Sequence, residues 1–332
     1  MDATERYSMK KDILGTRAFY KPFHYPWAYE MWLRSEQSHW IHTHEVPMHE
    51  DIKDWKNKLT DKEKEFVTSI FRFFTQGDID VSEGYVEKYL QLIKHPELRM
   101  MLLSFAGRET VHIAAYSHLI ESLDMPDSIY KAFLDYAVMR DKHEYIFTKH
   151  DDLDEEKKFA LDIAIFSALT EGVQLFSSFI MLLNFVRHGK MKAMGQIVSW
   201  SLLDESNHVE GMTKVFRTYI KERPHLWDDD LKQRIYSAAE KMVELEDAFI
   251  DLCYEMGETE NLTSDGVKKY IRHIADRRLI GLGLKGIFKV KKNPLPWVEP
   301  LINAPTHANF FETRATDYSK GANQGSWQDV WA

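Results

Sequence analysis

Residues 105–116 read FAGRETVHIAAY and residues 204–208 read DESNH, so the pattern Glu-x-x-His occurs twice in this chain. Positions i and i+3 share one face of a helix, so each pattern would place a carboxylate beside an imidazole. Apolar residues surround Glu109 and His112 at helical spacing, which predicts that this face is buried. Both polar groups therefore need partners, because burying an unpaired charge is costly.

A lone acid in an apolar helix precedes each of these motifs. Asp78 precedes Glu109 by 31 residues (109 − 78), and Glu171 precedes Glu205 by 34 residues (205 − 171). In dimetal-carboxylate four-helix bundles, two helices supply one acid each and the other two supply Glu-x-x-His. Four carboxylates would balance the charge of two divalent ions, and two neutral imidazoles would complete the ligands. The sequence therefore predicts two metal ions per chain.

The helix that carries the first acid has a clear beginning. Thr60 and Glu63 have the spacing of a capping box, which starts a helix. Asp78 continues the apolar stripe of Val67 along this helix. This favours Asp78 as the inward-facing acid, although Asp80 remains an alternative.

The rest of the chain predicts an all-α fold without strands. Further helices are expected at about 96–123, 128–149, 154–186, 190–221, 228–256 and 263–280. Gly77 is unfavourable inside a helix and is expected to mark a local distortion near the site. Residues 1–20 should form a loosely held arm, and residues 21–32 a segment wrapped over the bundle. We expect one domain over residues 1–320, a ferritin-like dimetal-carboxylate bundle with additional helices, and a flexible tail over residues 321–332.

Composition limits the classes of function. The net charge of −9 disfavours a general nucleic-acid or membrane-surface binder. Cys253 is the single cysteine, so no intramolecular disulfide can form, and a reducing cytoplasm is the expected location. The longest apolar stretch, around residues 176–186, is interrupted by polar residues and is expected to be too short to cross a membrane.

Motifs along nearly the whole chain resemble the small, radical-generating (beta) subunit of class I ribonucleotide reductase. They are, in the family's order, YPWAYEMW, FFTQGDIDVSEGY, FAGRETVHIAAY, ALTEGVQLF, LLDESNH, YIRHIADRRL, NPLPW and NFFETRATDYSKG. The resemblance implies an oxidoreductase subunit that generates a radical for reduction of ribonucleotides. The sequence departs from the family at Leu203, where an arginine is often found before the Asp-Glu pair.

The resemblance also implies the distribution of the metal ligands. It assigns one metal to Asp78, Glu109 and His112. It assigns the second metal to Glu171, Glu205 and His208, with Glu109 bridging the two ions.

Further residues match the family's route for radical transfer. Tyr116 stands at the position of the radical tyrosine, although some relatives store the oxidising equivalent on the metals instead. Trp40 matches the transfer tryptophan, and Asp204 matches the acid that links this tryptophan to His112. Tyr318 matches the tail tyrosine that passes the radical across the subunit interface.

The resemblance implies particular cofactors and partners. An iron–iron pair is favoured, while manganese–iron and manganese–manganese pairs stay open; a flavoprotein activator would be needed only with manganese. The C-terminal tail would dock to the large (alpha) subunit, and the chain would form a homodimer. One cysteine cannot supply both a thiyl radical and a redox dithiol, so nucleotide chemistry is expected on the large subunit.

Two other functions remain as alternatives. One is iron storage on a ferritin-like bundle, although such chains are typically shorter and have no need of Trp40 or Tyr318. The other is a dimetal oxidase or monooxygenase acting on its own organic substrate. Ser201 and Leu175 keep this second alternative open, because many relatives have bulkier residues at these positions.

Overall fold

The computed structural model describes residues 12–17 and 19–302. Tyr318 and the tail at 321–332 lie outside the described residues, as does much of the N-terminal arm. Within the described ranges the regular structure is helical, apart from one isolated bridge between Thr259 and Leu262. The prediction of an all-α fold is confirmed.

The α-helices follow one another along the chain, with short π and 3-10 segments between them. They are α1 (Pro26–Gln37), α2 (His42–Glu45), α3 (Met48–Asn57), α4 (Asp61–Glu83), α5 (Leu90–Leu92), α6 (Pro96–Ser122), α7 (Ala137–Ile146), α8 (Glu155–Ile163), α9 (Phe176–Arg187), α10 (Lys192–Glu222), α11 (Asp229–Cys253), α12 (Ser264–Leu282) and α13 (Glu299–Ile302). The π segments are π1 (Gly84–Tyr89) and π2 (Ala164–Gln174), and the 3-10 segments are Asp127–Asp135, Pro224–Leu226 and Pro296–Val298.

Four long helical stretches form the centre of the bundle. They are α4, α6, α10 and the stretch in which π2 joins α8 to α9. Helix α4 packs against α6, and π2 packs against α10, α11 and α12. Helix α4 begins as predicted: the Thr60 amide donates to Glu63 Oε2 at 2.8 Å, and the Glu63 amide donates to Thr60 Oγ1 at 3.3 Å.

Two sequence predictions about local geometry were wrong. Gly77 lies inside the regular helix α4, and the irregular turn comes later, in π1, which begins at Gly84. The single helix expected at 128–149 is instead a 3-10 segment (Asp127–Asp135) followed by α7. The break occurs because Tyr136 is extended, with φ −108° and ψ 115°.

The N-terminal part contains more helix than the sequence suggested. The aromatic segment at 21–32 runs into α1, which packs against α6, and α3 is a further helix that was not among the expected ones. Asp51 on α3 accepts hydrogen bonds from the amides of Ala193 and Met194, at 3.0 and 2.7 Å. These amides belong to the first turn of α10, which has no local side-chain cap. A distant carboxylate therefore caps this long helix.

The helical stretch Glu155–Arg187 is long and apolar enough to cross a membrane, judged by length and composition alone. The expectation that no stretch reaches this length was therefore wrong. The most apolar window of this stretch is wholly buried inside the protein. Such burial is typical of the central helix of a bundle, which is apolar on all sides because other helices surround it.

Candidate metal centre

Six titratable side chains from the four central helical stretches meet in the interior. Asp78 is 3% exposed, and the other five are fully buried. They form two overlapping groups. Within each group, the potential ligand atoms all lie within 4.8 Å of one another. One group contains Asp78, Glu109, His112 and Glu205, and the other contains Glu109, Glu171, Glu205 and His208.

The two glutamates of the Glu-x-x-His motifs occupy the middle of the cluster. Both Glu109 and Glu205 belong to both groups, so either carboxylate could bridge two ions. The family resemblance implied a bridging role for Glu109 alone. The second bridging position, at Glu205, depends on the distance between α6 and α10. The residue pattern of one helix cannot predict that distance.

Asp80 faces a different neighbour from Asp78. A carboxylate oxygen of Asp80 lies 2.5 Å from Nδ1 of His143, which is on α7. Asp78 is two residues earlier on α4 and therefore points in a different direction, into the cluster. The geometry favours Asp78 over Asp80 as a ligand.

The polar atoms of this cluster fit a metal site. Buried polar atoms are normally hydrogen-bonded, yet several here have no hydrogen-bond partner in the described part of the chain. These atoms are Asp78 Oδ2, both carboxylate oxygens of Glu109 and of Glu205, Glu171 Oε2, His112 Nδ1 and both ring nitrogens of His208. Carboxylate oxygens and imidazole nitrogens in such a set suit iron or manganese.

Electrostatics leads to the same conclusion. Burial, reinforced by the charges of Glu109 and Glu205, raises the pKa of Asp78 and of Glu171 well above the usual range, although neighbouring histidines oppose this. Burial would lower the pKa of His208, but the adjacent carboxylates of Glu109 and Glu205 raise it to about 10. Ionising all four buried carboxylates together would therefore require compensating positive charge, which two divalent ions would supply.

A hydrogen-bonded chain leads away from the cluster. His112 Nε2 lies 3.2 Å from Asp204 Oδ2, and the indole Nε1 of Trp40 donates to the same oxygen at 2.9 Å. If Nε2 carries the hydrogen, Nδ1 of His112 is left with a lone pair toward the cluster. The structure therefore brings together Trp40, Asp204 and His112, as the resemblance implied.

Arg108 is a residue of this site to which the sequence reading gave no role. Its Nε and Nη2 both donate to Asp204 Oδ2 at 3.1 Å, and its guanidinium lies 5.3 Å from the Trp40 ring. Burial would raise the pKa of Asp204, but the hydrogen bond with His112 and the charge of Arg108 lower it overall. Arg108 thus supplies a positive charge directly beside Asp204. An arginine directly before Glu109, at the edge of a buried helix face, was the available clue.

Two tyrosines lie beside the cluster. Tyr116 is 3% exposed, and burial followed by the charge of Asp78 raises the pKa of its phenol. Tyr85 is fully buried and donates its hydroxyl hydrogen to Glu171 Oε1 at 2.6 Å. The sequence predicted a role for Tyr116 but none for Tyr85.

An all-helical bundle with two overlapping carboxylate–histidine groups at its centre defines a dinuclear metal-carboxylate protein. Residues 17–294 match the family model described as "Ribonucleotide reductase, small chain". The chain belongs to this family, and its relatives are subunits of the oxidoreductase ribonucleoside-diphosphate reductase. The names of these relatives, small subunit and subunit beta, indicate that they assemble with a larger subunit.

Two relatives show the extent of the sequence similarity. The probable ribonucleoside-diphosphate reductase small subunit of Invertebrate iridescent virus 3 is 48% identical, and the match covers 95% of this chain and 88% of the viral one. Ribonucleoside-diphosphate reductase subunit beta of Chlamydia pneumoniae is 31% identical, with 92% and 91% covered. Both matches extend over nearly the whole length of each chain.

Solved structures share the fold. The ribonucleotide reductase R2 subunit of Clostridium botulinum superposes with a TM-score of 0.76 at 23% identity, covering 84% of this chain and 88% of that one. The dimanganese(II) NrdF protein of Streptococcus sanguinis has a TM-score of 0.75 at 22% identity, with 86% and 99% covered. These similarities confirm the ferritin-like helical architecture.

Proposed function

We propose that this chain is the radical-generating subunit of a class I ribonucleoside-diphosphate reductase. When bound, a pair of metal ions would react with dioxygen or a reduced oxygen species and supply a one-electron oxidant. The observation that carries this proposal is the buried pair of overlapping ligand groups, which share Glu109 and Glu205. The protein would store the oxidising equivalent and pass it to the large subunit, where ribonucleotides are reduced to deoxyribonucleotides.

The six clustered side chains would hold the metals. Asp78 and His112 are assigned to one ion, Glu171 and His208 to the other, and Glu109 and Glu205 to both. We favour an iron–iron pair, with manganese–iron and dimanganese pairs as alternatives. The dimanganese form named for the Streptococcus sanguinis protein shows that the fold can hold manganese, and only in that case would a flavoprotein activator be required.

Tyr116 is the proposed site of a stored radical. Its phenol is buried on the same helix as His112, one turn further along, so it lies on the same face. Burial excludes water and reductants from the ring, which would prolong the life of an unpaired electron. If Tyr116 is not oxidised, the oxidising equivalent would remain at the metals.

Trp40, Asp204 and His112 would form the exit from the site. Asp204 Oδ2 accepts the Trp40 Nε1 hydrogen and can therefore hold the proton that this indole releases when oxidised. Asp204 also lines a surface cavity of about 610 Å³ whose rim includes Arg34 and Arg217. The route would continue through Tyr318 to the large subunit, with the segment 321–332 as the docking tail; both lie outside the described residues.

A metal titration tests the ligand assignment. We expect the metal-free protein to bind two equivalents of Mn²⁺ or Fe²⁺ per chain. Asp78→Asn should weaken one equivalent, whereas Glu109→Gln should weaken both because its carboxylate belongs to both groups. Asp80→Asn is the control and should change neither, since Asp80 faces His143. Full binding by Glu109→Gln would contradict the assignment.

Exposure to oxygen then tests the reaction. The iron-loaded protein should show a new paramagnetic resonance signal or a metal-centred oxidised spectrum, and should support ribonucleotide reduction with its cognate large subunit. Loss of a radical signal in Tyr116→Phe would locate the radical. Iron oxidation without any stored oxidant would instead favour iron storage, and hydroxylation of an organic molecule without the large subunit would favour an oxidase.

A further inference from the structure

Tyr85 is the last residue of the motif FFTQGDIDVSEGY and contacts a proposed ligand directly, although no role was predicted for it from the sequence. Its hydroxyl donates to Glu171 Oε1 at 2.6 Å, inside the normal range for a strong O–H to carboxylate hydrogen bond. The ring packs edge-on against His208 and Phe166, with centroid separations of 6.1 and 5.3 Å. Tyr85 therefore lies between the apolar core on one side and, on the other, Glu171 and His208, which would bind the second metal.

The position of Tyr85 depends on two irregular helical segments. It lies in π1, which continues α4 beyond Asp78, while Glu171 lies in π2. A Cβ atom on Gly84 would lie 2.4 Å from Phe166, so the absence of a side chain there allows the two segments to approach. π segments inside α-helices are frequent at functional sites because they reorient side chains.

Glu171 differs from the two shared glutamates in its hydrogen bonding. Both oxygens of Glu109 and of Glu205 lack hydrogen-bond partners in the described residues. Glu171 lacks a partner only at Oε2. The donated hydrogen of Tyr85 therefore fixes the rotation of the Glu171 carboxylate before any metal arrives. Such outer hydrogen bonds orient ligands and typically change metal affinity by roughly 10–100-fold.

We propose that Tyr85 is a positioning residue for the metal site formed by Glu171 and His208. It acts through Glu171, by holding one carboxylate oxygen so that the group is pre-oriented for a divalent cation. This inference rests on the proposed function, which assigns Glu171 as a ligand. It predicts that the two metal positions differ in their dependence on this phenol.

Tyr89 provides a matched control within the same π segment. It is also fully buried, and its hydroxyl donates to the main-chain oxygen of Asp162 at 3.1 Å. Tyr85 and Tyr89 therefore share residue type, segment and burial but differ in what the hydroxyl contacts. Replacement of either by phenylalanine removes one hydroxyl and leaves the ring in place.

The experiment is a titration of the metal-free full-length protein with Co²⁺, followed by visible absorption and calorimetry. Wild type and Tyr89→Phe should bind two equivalents with the same affinities. Tyr85→Phe should keep one equivalent unchanged and weaken the other by roughly 10–100-fold. Glu171→Gln should weaken that same equivalent, and adding Tyr85→Phe to it should cost little more. Thermal unfolding of each metal-free variant shows that the fold is retained.

Several results would overturn this role. Unchanged affinities in Tyr85→Phe would make the phenol a packing residue only. Equal weakening of both equivalents, or an equal effect of Tyr89→Phe, would mean that the change acts through general loss of packing. Binding of fewer than two equivalents by wild type would instead refute the proposed dinuclear function itself, so the two failures are distinguishable.

Discussion

Replacing Arg108 by methionine removes a guanidinium from Asp204 but keeps an apolar side chain of similar length beside Trp40. The lost contacts are two hydrogen bonds of 3.1 Å to Asp204 Oδ2 and one of 3.2 Å with Nδ1 of His39. The side chains of this ion pair are only 6% and 4% exposed, so water compensates only in part for the missing donor. The Asp204 carboxylate would remain buried with fewer donors than before.

The expected cost follows from this burial. Removing one partner of a buried ion pair typically destabilises a protein by about 3–5 kcal/mol. Trp40 and His112 still contact Asp204 in the variant, so we expect the lower end, about 3 kcal/mol. The exposed pair between Arg34 and Glu210 is the control: its side chains are 50% and 43% exposed. Arg34→Met should therefore cost less than about 1 kcal/mol.

The assay is urea unfolding of the metal-free protein as a double-mutant cycle. Arg108→Met, Asp204→Asn and the double variant are compared with wild type. Since the two side chains touch, the double variant should be more stable than the sum of the single losses predicts, by about 2 kcal/mol. Strictly additive losses, or a cost for Arg108→Met no larger than that for Arg34→Met, would refute the reasoning.

Three further predictions concern buried groups outside the metal cluster. Lys142 and Glu246 form an ion pair whose side chains are 0% exposed. In urea unfolding, Lys142→Met alone should destabilise the protein by about 3–5 kcal/mol, because it leaves the Glu246 charge buried without a partner. Adding Glu246→Leu should recover most of this loss. Asp51→Ala leaves two amides of α10 without acceptors and should lower stability by about 2–4 kcal/mol, whereas a loss below roughly 0.5 kcal/mol would contradict the capping role. Burial raises the pKa of the Cys253 thiol, so a disulfide reagent should modify it only after denaturation; rapid modification of the folded protein would show that the thiol is accessible.

Local patterns in the sequence were sufficient for the architecture and for the list of candidate ligands. The spacing of Glu109 and His112 places them on one helix face whatever surrounds that helix. The capping box at Thr60 likewise depends on residues only three positions apart, and the structure contains it. The family resemblance added Trp40 and Asp204, whose contact the structure also shows. Their roles in radical transfer stay predictions.

Contacts between distant parts of the chain were decided by the tertiary structure alone. Arg108 and Asp204 are 96 residues apart, and Tyr85 and Glu171 are 86 residues apart. Glu205 joins both ligand groups only because α6 and α10 lie close together. Hydrophobic periodicity shows which face of a helix is buried, but it carries no information about which atoms from other helices meet that face. Those contacts depend on how the helices cross, on the two π segments and on the close approach between π1 and π2 that Gly84 allows.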